Sequence, residues 1–515
     1  MTQTSVTALV EQMMQPGFYP HPVKEPIRLM QTHVSYVFLT GDYAYKVKKP
    51  VNFGFLDFST LEARQHFCLE EIQMNQPNAP EIYLEVLPVT QSDVGLELDG
   101  SGQPVEYALK MREFPQDDLF ICMFEQGRLT ETHMEELGRI VAQFHAKAKT
   151  SDYIRTFGEV SQIRQAFDEN YQQTEKYIGG PQTREQFEET KQFSDAFFTN
   201  RQELFKNRIQ NNWIRECHGD LHLRNICLWQ GKIQLFDRIE FNEPFRFVDV
   251  MYDVAFAVMD LEARQRKDLG NAFLNTYIEQ TGDWEGLQVL PLYLSRQAYV
   301  RAKVTSFLLD DPGVPEDAKQ EAAATASDYY RLAWEYTKSN EGRLILMSGL
   351  SGSGKTTVAR HLARRLGAIH LRSDAVRKHL AGIPLEQTGG ADLYTPEMSD
   401  KTYNRLLELG ITLASLGFPV ILDAKYDRQS LRQNAIATST QHQLPVQIIH
   451  CTAPQEVLRD RLFSRTGDVS DATADLLTQQ QAAAEPFTDE EQSLVTTLDT
   501  TQDWASQAEN FLGLS

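Results

Sequence analysis

Eight consecutive residues, Gly349-Leu350-Ser351-Gly352-Ser353-Gly354-Lys355-Thr356, fit the spacing G-x-x-x-x-G-K-[ST]. Glycines at these places let a backbone wrap polyphosphate with its N–H groups, and a helix that starts at the loop turns its positive end to the anion. The apolar run Leu344 to Met347 precedes the loop and the helical run Thr357 to Leu366 follows it, the strand–loop–helix setting this chemistry needs. The implied ligand is ATP with Mg²⁺. Gly349, Leu350, Ser351, Gly352, Ser353, Gly354, Lys355, Thr356 and Thr357 are its expected contacts, Lys355 reaching the β and γ phosphates and Thr356 holding the metal. A glycine-rich turn without a ligand is the competing reading, and it gives Lys and Thr no reason to follow the last glycine.

What lies downstream decides what such a phosphate does. Leu371-Arg372-Ser373-Asp374-Ala375-Val376-Arg377 follows a second strand, at the end of which a nucleotide crevice opens in parallel sheets. Asp374 could accept the proton of an attacking hydroxyl, and Arg377, one helical turn on, could hold an anionic group of the acceptor. Taken alone, Asp374 reads better as the N-cap of a helix starting at Ala375. Asp423 ends the apolar run Pro419 to Leu422 and suits a carboxylate that reaches Mg²⁺ directly or through water, with a simple turn former as its rival reading. Arg459, Arg461 and Arg465 lie on a helical segment leading into Thr466-Gly467-Asp468, as arginines closing over a triphosphate would.

Together these features resemble the P-loop kinase group that includes polynucleotide 5′-kinases, zeta-type toxins and gluconate kinases. The resemblance spans residues 343 to about 490. It implies Asp374 as general base, Arg377 as acceptor ligand and Arg465 as lid arginine. The acceptor differs among these relatives and is not implied.

A second constellation stands in the first half. Cys217-His218-Gly219-Asp220-Leu221-His222-Leu223-Arg224-Asn225 puts an aspartate five residues before an asparagine, and Asp237 follows the apolar run Ile233 to Phe236. Asp220 can orient or deprotonate a hydroxyl while Asn225 and Asp237 chelate Mg²⁺; a tight turn is the rival reading of His218-Gly219-Asp220 alone. The pattern resembles the aminoglycoside phosphotransferase branch of the protein-kinase-like fold, over residues 30 to 335. That likeness implies Lys46 as the ligand of the α and β phosphates and Glu71 as its ion-pair partner. Glu70 competes for that role, and Lys48 shares the strand face of Lys46. It also implies a hinge in Tyr107 to Phe114 and leaves Asp249 and Asp253 as either braces of the catalytic loop or ordinary acids. Thr32-His33-Val34-Ser35 stands where protein kinases carry G-x-G-x-x-G. The pairing of both modules resembles bacterial proteins described as aminoglycoside phosphotransferase-like and ATP-binding bifunctional proteins, where the drug name denotes a fold.

The elements that must position these residues follow from pattern. Val34 to Leu39 and Tyr43 to Val47 read as strands around Gly41-Asp42, and Leu61 to Asn75 as a helix; 154 to 210 and 261 to 336 read as mostly helical. The polar stretch Tyr336 to Gly342 marks the boundary between domains 1–338 and 342–515. Beyond it, Leu344 to Met347, Ala368 to Leu371, Val420 to Leu422 and Val446 to His450 alternate with helices, the signature of a parallel sheet. The expected fold is an N-terminal α+β protein-kinase-like bilobal domain and a C-terminal α/β P-loop NTPase.

Composition narrows the function classes. In 515 residues, 41% hydrophobic and 23% charged, nothing argues for disorder, and no run nears the ~20 apolar residues of a membrane span. No secretory signal is legible, so a cytoplasmic protein with five thiols rather than disulfides is expected. Of the net charge of −21, all but −4 belongs to the first 341 residues, which opposes binding of long duplex nucleic acid. The leading reading is an ATP-dependent kinase with two phosphotransferase modules, acting on a small-molecule hydroxyl or a short nucleic-acid end. The alternative is a P-loop kinase or ATPase switch regulated by a non-catalytic kinase-like binding domain.

Overall fold

The structure is a computed structural model and describes residues 3–464 and 477–513, with 55, 94 and 512 excepted. The chain forms two compact units that are not consecutive stretches. One comprises the residues up to Leu129 with Lys147–Gln165 and Phe205–Ala257; the other comprises Thr130–Ala146, Ala166–Leu204 and the chain from Val258 onward.

The first unit is built on an antiparallel sheet of six strands: β1 (Arg28–Gln31), β2 (Ser35–Leu39), β3 (Tyr43–Lys48), β4 (Tyr83–Ser92), β5 (Gly95–Leu98) and β6 (Gln103–Arg112), in the order β1-β2-β3-β6-β4-β5. Because side chains alternate along a strand, Tyr45 and Val47 of β3 join Phe38, Val89 and Ala108 in an apolar core, while Lys46 and Lys48 point to the opposite face. On that face lies the helix Leu61–Asn75, started by Thr60, whose hydroxyl accepts the Ala63 N–H at 3.1 Å. Of the segment expected as a hinge, residues 107–112 lie inside β6, where Ala108, Leu109, Lys110 and Met111 pair with both β3 and β4. Their backbone groups are spent in the sheet, so only Glu113 and Phe114 belong to the connection.

Two short ribbons also belong to this unit. β7 (Ile214–Glu216) pairs with β10 (Phe247–Asp249), and β8 (Ile226–Trp229) with β9 (Lys232–Leu235). The segment 217–225 hangs between β7 and β8, and the segment 236–246 between β9 and β10, so the ribbons present both loops side by side.

The second unit carries a parallel sheet of five strands: β11 (Arg343–Ser348), β12 (Ile369–Arg372), β13 (Pro419–Asp423), β14 (Val446–Thr452) and β15 (Val495–Asp499), in the order β12-β13-β11-β14-β15. Leu344, Ile345, Leu346 and Met347 are all fully buried, as a central parallel strand covered on both faces requires. Ile345 and Met347 pack with Val358 and Leu362 of the helix Lys355–Leu366. The fifth strand, β15, is not among those expected from pattern: its Thr496 and Thr497 dilute the apolar signal, as an edge position permits. The helices Lys267–Thr281, Leu290–Ser306 and Glu316–Glu335, which precede the polar stretch 336–342, belong to the same compact unit as this sheet.

Cys68, Cys217, Cys227 and Cys451 are buried thiols and Cys122 is half-buried. Among the described residues no helix is long and apolar enough to cross a membrane.

Candidate functional site

The phosphate loop follows β11. Gly349 has φ +132°, and a Cβ there would lie 2.3 Å from the Cys451 carbonyl oxygen, so any other residue would push the loop off the sheet. The loop ends at Gly354, the N-cap of the helix Lys355–Leu366, which offers no side-chain cap to the first-turn N–H groups. An anion fits there. Ser353 Oγ is buried with no hydrogen-bond partner among the described residues, another group disposed toward a polar ligand. Lys355 Nζ donates to the Leu350 carbonyl at 2.8 Å, and burial lowers its pKa. It lies within electrostatic reach of both Asp423 and Asp374.

Asp423 closes β13 opposite Arg372 of β12. It is buried, which by itself raises a carboxyl pKa, but the hydrogen bond from His370 Nε2 at 3.1 Å and the charges of His370, Arg372 and Lys355 prevail and hold it at about 2. It is therefore an ionised carboxylate in a cationic setting, the donor type a hard divalent cation prefers. The residues fit Mg²⁺ with ATP: Thr356 and Asp423 would hold the metal and the loop N–H groups with Lys355 the phosphates.

Asp374 is not a helix cap. The helix runs Ser373–Ala381 with Arg372 at the cap position and no side-chain cap bond, so Asp374 sits inside the first turn. The helix begins two residues earlier than the sequence reading placed it, because β12 runs directly into it at Arg372. Arg377 Nη1 donates to Asp374 Oδ1 at 3.3 Å, and its guanidinium lies 4.7 Å from the exposed Tyr394 ring. Its Nε is buried without a partner among the described residues. Tyr403 and Tyr426 meet edge-on at 5.5 Å, with Tyr426 fully buried.

Of the expected lid arginines, Arg465 lies outside the described residues. Arg461, on the helix Gln455–Phe463, is bound to the loop framework instead: it donates to Gly352 O at 3.3 Å and to the hydroxyl and carbonyl of Thr500 at 2.8 and 3.0 Å. Two residues that the sequence reading missed support the same loop. Thr500 Oγ1 donates to Ser353 O at 2.9 Å, and Gln480 Oε1 accepts the Ser351 N–H at 3.1 Å. Both are polar residues in unremarkable contexts, and nothing in the sequence links them to the loop.

In the first unit Lys46 Nζ lies 2.8 Å from Glu71 Oε1 and 2.5 Å from Asp237 Oδ1. Glu71, fully buried, shares its other oxygen with Lys48 Nζ at 2.7 Å, and Lys48 also pairs with Glu240. Burial raises the Glu71 pKa, but the two ammonium groups outweigh it and hold the carboxyl at about 2. Among the described residues Glu70 makes no such contact; both lysines pair with Glu71. Asp237 has φ +60°, a backbone state uncommon for an aspartate, and its N–H is held by the Tyr83 hydroxyl at 3.0 Å.

Asn225 Nδ2 donates to Asp220 Oδ2 at 3.0 Å, and His222 Nε2 lies 3.3 Å from the same oxygen. Gly219 has φ +84° and a Cβ there would come 2.6 Å from the Phe245 carbonyl oxygen. Asp253 is a brace of this loop, accepting the His218 and Gly219 N–H groups at 2.6 and 2.8 Å. Asp249 braces something else: it forms a two-pronged pair with Arg208 at 2.8 and 2.6 Å. Arg238, unremarked in the sequence, ties the chain after Asp237 to Met74 O at 2.8 Å and Glu216 O at 2.9 Å. Thr32, in place of a glycine loop, closes a tight turn by accepting the Val34 and Ser35 N–H groups at 3.2 and 2.9 Å.

Residues 344–487 match the family model described as an AAA domain. Solved structures similar to part of the chain include a sugar kinase from Janibacter sp. HTCC2649, 24% identical over 34% of this chain and 96% of that one with a TM-score of 0.26. A gluconokinase from Sinorhizobium meliloti 1021 is 21% identical over 35% of this chain and 99% of that one, with a TM-score of 0.25. Uncharacterized proteins of Mycobacterium tuberculosis and Mycobacterium bovis are each 31% identical over 462 residues, 88% of this chain and 90% of theirs. With a likeness that runs through both halves and a C-terminal P-loop domain of the AAA type, the chain belongs to the same protein family as these mycobacterial proteins.

Proposed function

We propose that the protein is an ATP-dependent phosphotransferase with two kinase-like modules, each moving the γ-phosphate of its own ATP to an alcohol hydroxyl. The supporting observation is that each unit gathers, from elements distant in sequence, a lysine, a carboxylate suited to Mg²⁺ and a second aspartate suited to an acceptor hydroxyl. Lys355, Asp423 and Asp374 form one such set; in the other Lys46 meets Asp237, and the loop that carries Asp220 is joined to the loop that carries Asp237 by the contact of His218 Nε2 with the Phe236 carbonyl at 2.9 Å. On this reading the six-stranded sheet with its Lys46–Glu71 pair is the small lobe of a protein-kinase-like fold.

Mg²⁺ with ATP, when bound, neutralises charge on the β and γ phosphate oxygens. The chain's own residues do the rest. In the P-loop module Lys355 and the loop N–H groups orient the γ-phosphate, Arg377 holds an anionic part of the acceptor, and Asp374 takes the hydroxyl proton. The acceptor O–P bond forms as the bond to the β-phosphate oxygen breaks and ADP leaves. In the first module Lys46, aligned by Glu71, holds the phosphates, Asn225 and Asp237 supply metal ligands, and Asp220 receives the hydroxyl proton. A cytoplasmic location and a small hydroxyl acceptor or short nucleic-acid end fit the composition.

The test is transfer of labelled γ-phosphate to a pooled metabolite and oligonucleotide panel by wild type, Lys355→Ala, Asp374→Ala and Asp220→Ala. Loss of one labelled product with Asp374→Ala and of another with Asp220→Ala supports two catalytic modules. Products that depend on Asp374 but not Asp220 make the first module non-catalytic. Release of phosphate alone, insensitive to either aspartate, sinks the kinase reading in favour of an ATP-driven switch.

A further inference from the structure

β12 is an edge strand of the parallel sheet, and its outer backbone groups need partners. Partners for two groups on this edge, the Ala368 carbonyl and the His370 N–H, come from one stripe of the helix Lys267–Thr281. Asn271, Asn275 and Glu279 are spaced four residues apart and so lie on one face. The Asn271 and Asn275 side-chain amides donate to Ala368 O at 2.9 and 3.0 Å, and Asn275 Oδ1 accepts the His370 N–H at 2.8 Å. Asn275 also donates to Asn271 Oδ1 at 2.9 Å, which holds the two amides in register. One turn on, Glu279 Oε1 accepts from Arg372 Nη1 at 3.2 Å, and the Glu279 carbonyl meets His379 Nε2 at 2.7 Å.

Covering an edge would need only the amides at Ala368 and His370. The stripe reaches further, because the two β12 residues it grips are the ones that face Asp423. His370, held through its N–H, binds the Asp423 carboxylate through Nε2; Arg372, held through its guanidinium, supplies part of the positive field on that carboxylate. Arg372 is also the residue from which the helix bearing Asp374 and Arg377 starts.

We propose that Asn275 and Glu279 are positioning residues of the P-loop site, setting through His370 and Arg372 where the Asp423 carboxylate stands. The inference rests on the reading of Asp423 as a metal-binding group for ATP. It makes a helix from before the polar stretch 336–342 a working part of the P-loop module. Neither residue touches nucleotide; both act through β12.

The experiment measures binding of the non-hydrolysable ATP analogue AMP-PNP to the full chain, with Mg²⁺ and with EDTA, counting only the binding that Lys355→Ala removes. Asn275→Ala and Glu279→Ala are each expected to weaken the Mg²⁺-dependent binding about tenfold while metal-free binding stays within about twofold. Glu279→Gln, which keeps an acceptor for Arg372, should recover most of the loss, and adding Asp423→Asn to Asn275→Ala should cost little more than Asp423→Asn alone. Equal loss with and without Mg²⁺, accompanied by a lower melting temperature, would reduce the stripe to a structural edge cover and overturn the proposal. So would unchanged binding in both conditions. If Lys355→Ala removes no binding at all, the failure belongs to the P-loop reading itself.

Discussion

Glu71→Gln is the perturbation whose size the structure allows to be worked out. The carboxylate is fully buried between Lys46 Nζ at 2.8 Å and Lys48 Nζ at 2.7 Å, and its pKa is lowered from 4.5 to about 2. A downward shift means the ionised form is bound more tightly in the folded chain than in the unfolded one. At 1.36 kcal/mol per pKa unit, the pair is worth about 3 kcal/mol at neutral pH, in line with the cost of breaking a buried ion pair. The sign sets the window: the contribution is complete above pH 4.5 and is lost as pH falls toward 2, so it drops to about 1 kcal/mol near pH 3. Because the chain has two compact units, calorimetry should resolve the transition that responds to Glu71→Gln rather than rely on a single midpoint. For a unit of this size, the shift expected at pH 7 is about 6 to 12 °C downward, narrowing below pH 4.5. A shift under about 2 °C at pH 7, or a difference that stays constant as pH falls, would show that the two lysines do not stabilise the carboxylate as reasoned.

Three further substitutions probe the sites separately. Asp253→Asn leaves one of the His218 and Gly219 amides without its acceptor; a loss of about 1–3 kcal/mol in the same calorimetric transition and loss of the Asp220-dependent product are expected. Arg461→Ala unties Gly352 and Thr500, and nucleotide affinity should fall about tenfold while the acceptor KM holds, read from AMP-PNP binding beside steady-state kinetics. Asp374→Ala should lower single-turnover phosphate transfer by about 10²–10⁴-fold with nucleotide affinity unchanged, which a cap residue would not do.

Contiguous motifs were legible because wrapping a phosphate or chelating a metal over one loop demands fixed residue types at fixed short spacing. The phosphate loop and the Asp220–Asn225 spacing are of this kind; pattern also located β3 with its two lysines and the strand and helix on either side of the phosphate loop, whereas β7 and β8, which flank the Asp220 loop, were not among the expected strands. The parallel character of the C-terminal sheet was readable from alternating apolar runs and helices, though not its strand order or its fifth strand. Other features turned on which distant segments meet. Arg461 reads as a lid residue until Thr500 is seen to occupy it; Asp374 reads as a cap until the helix is seen to start at Ser373; and the fate of Arg465 lies outside the described residues. Asn271, Asn275 and Glu279 carry no motif, since an amide that covers a strand edge can come from any helix that packs there. Local spacing encodes the chemistry a short segment can perform, whereas the choice of buried partners is made by the burial energy of the whole unit, and that choice appears only when the chain is folded.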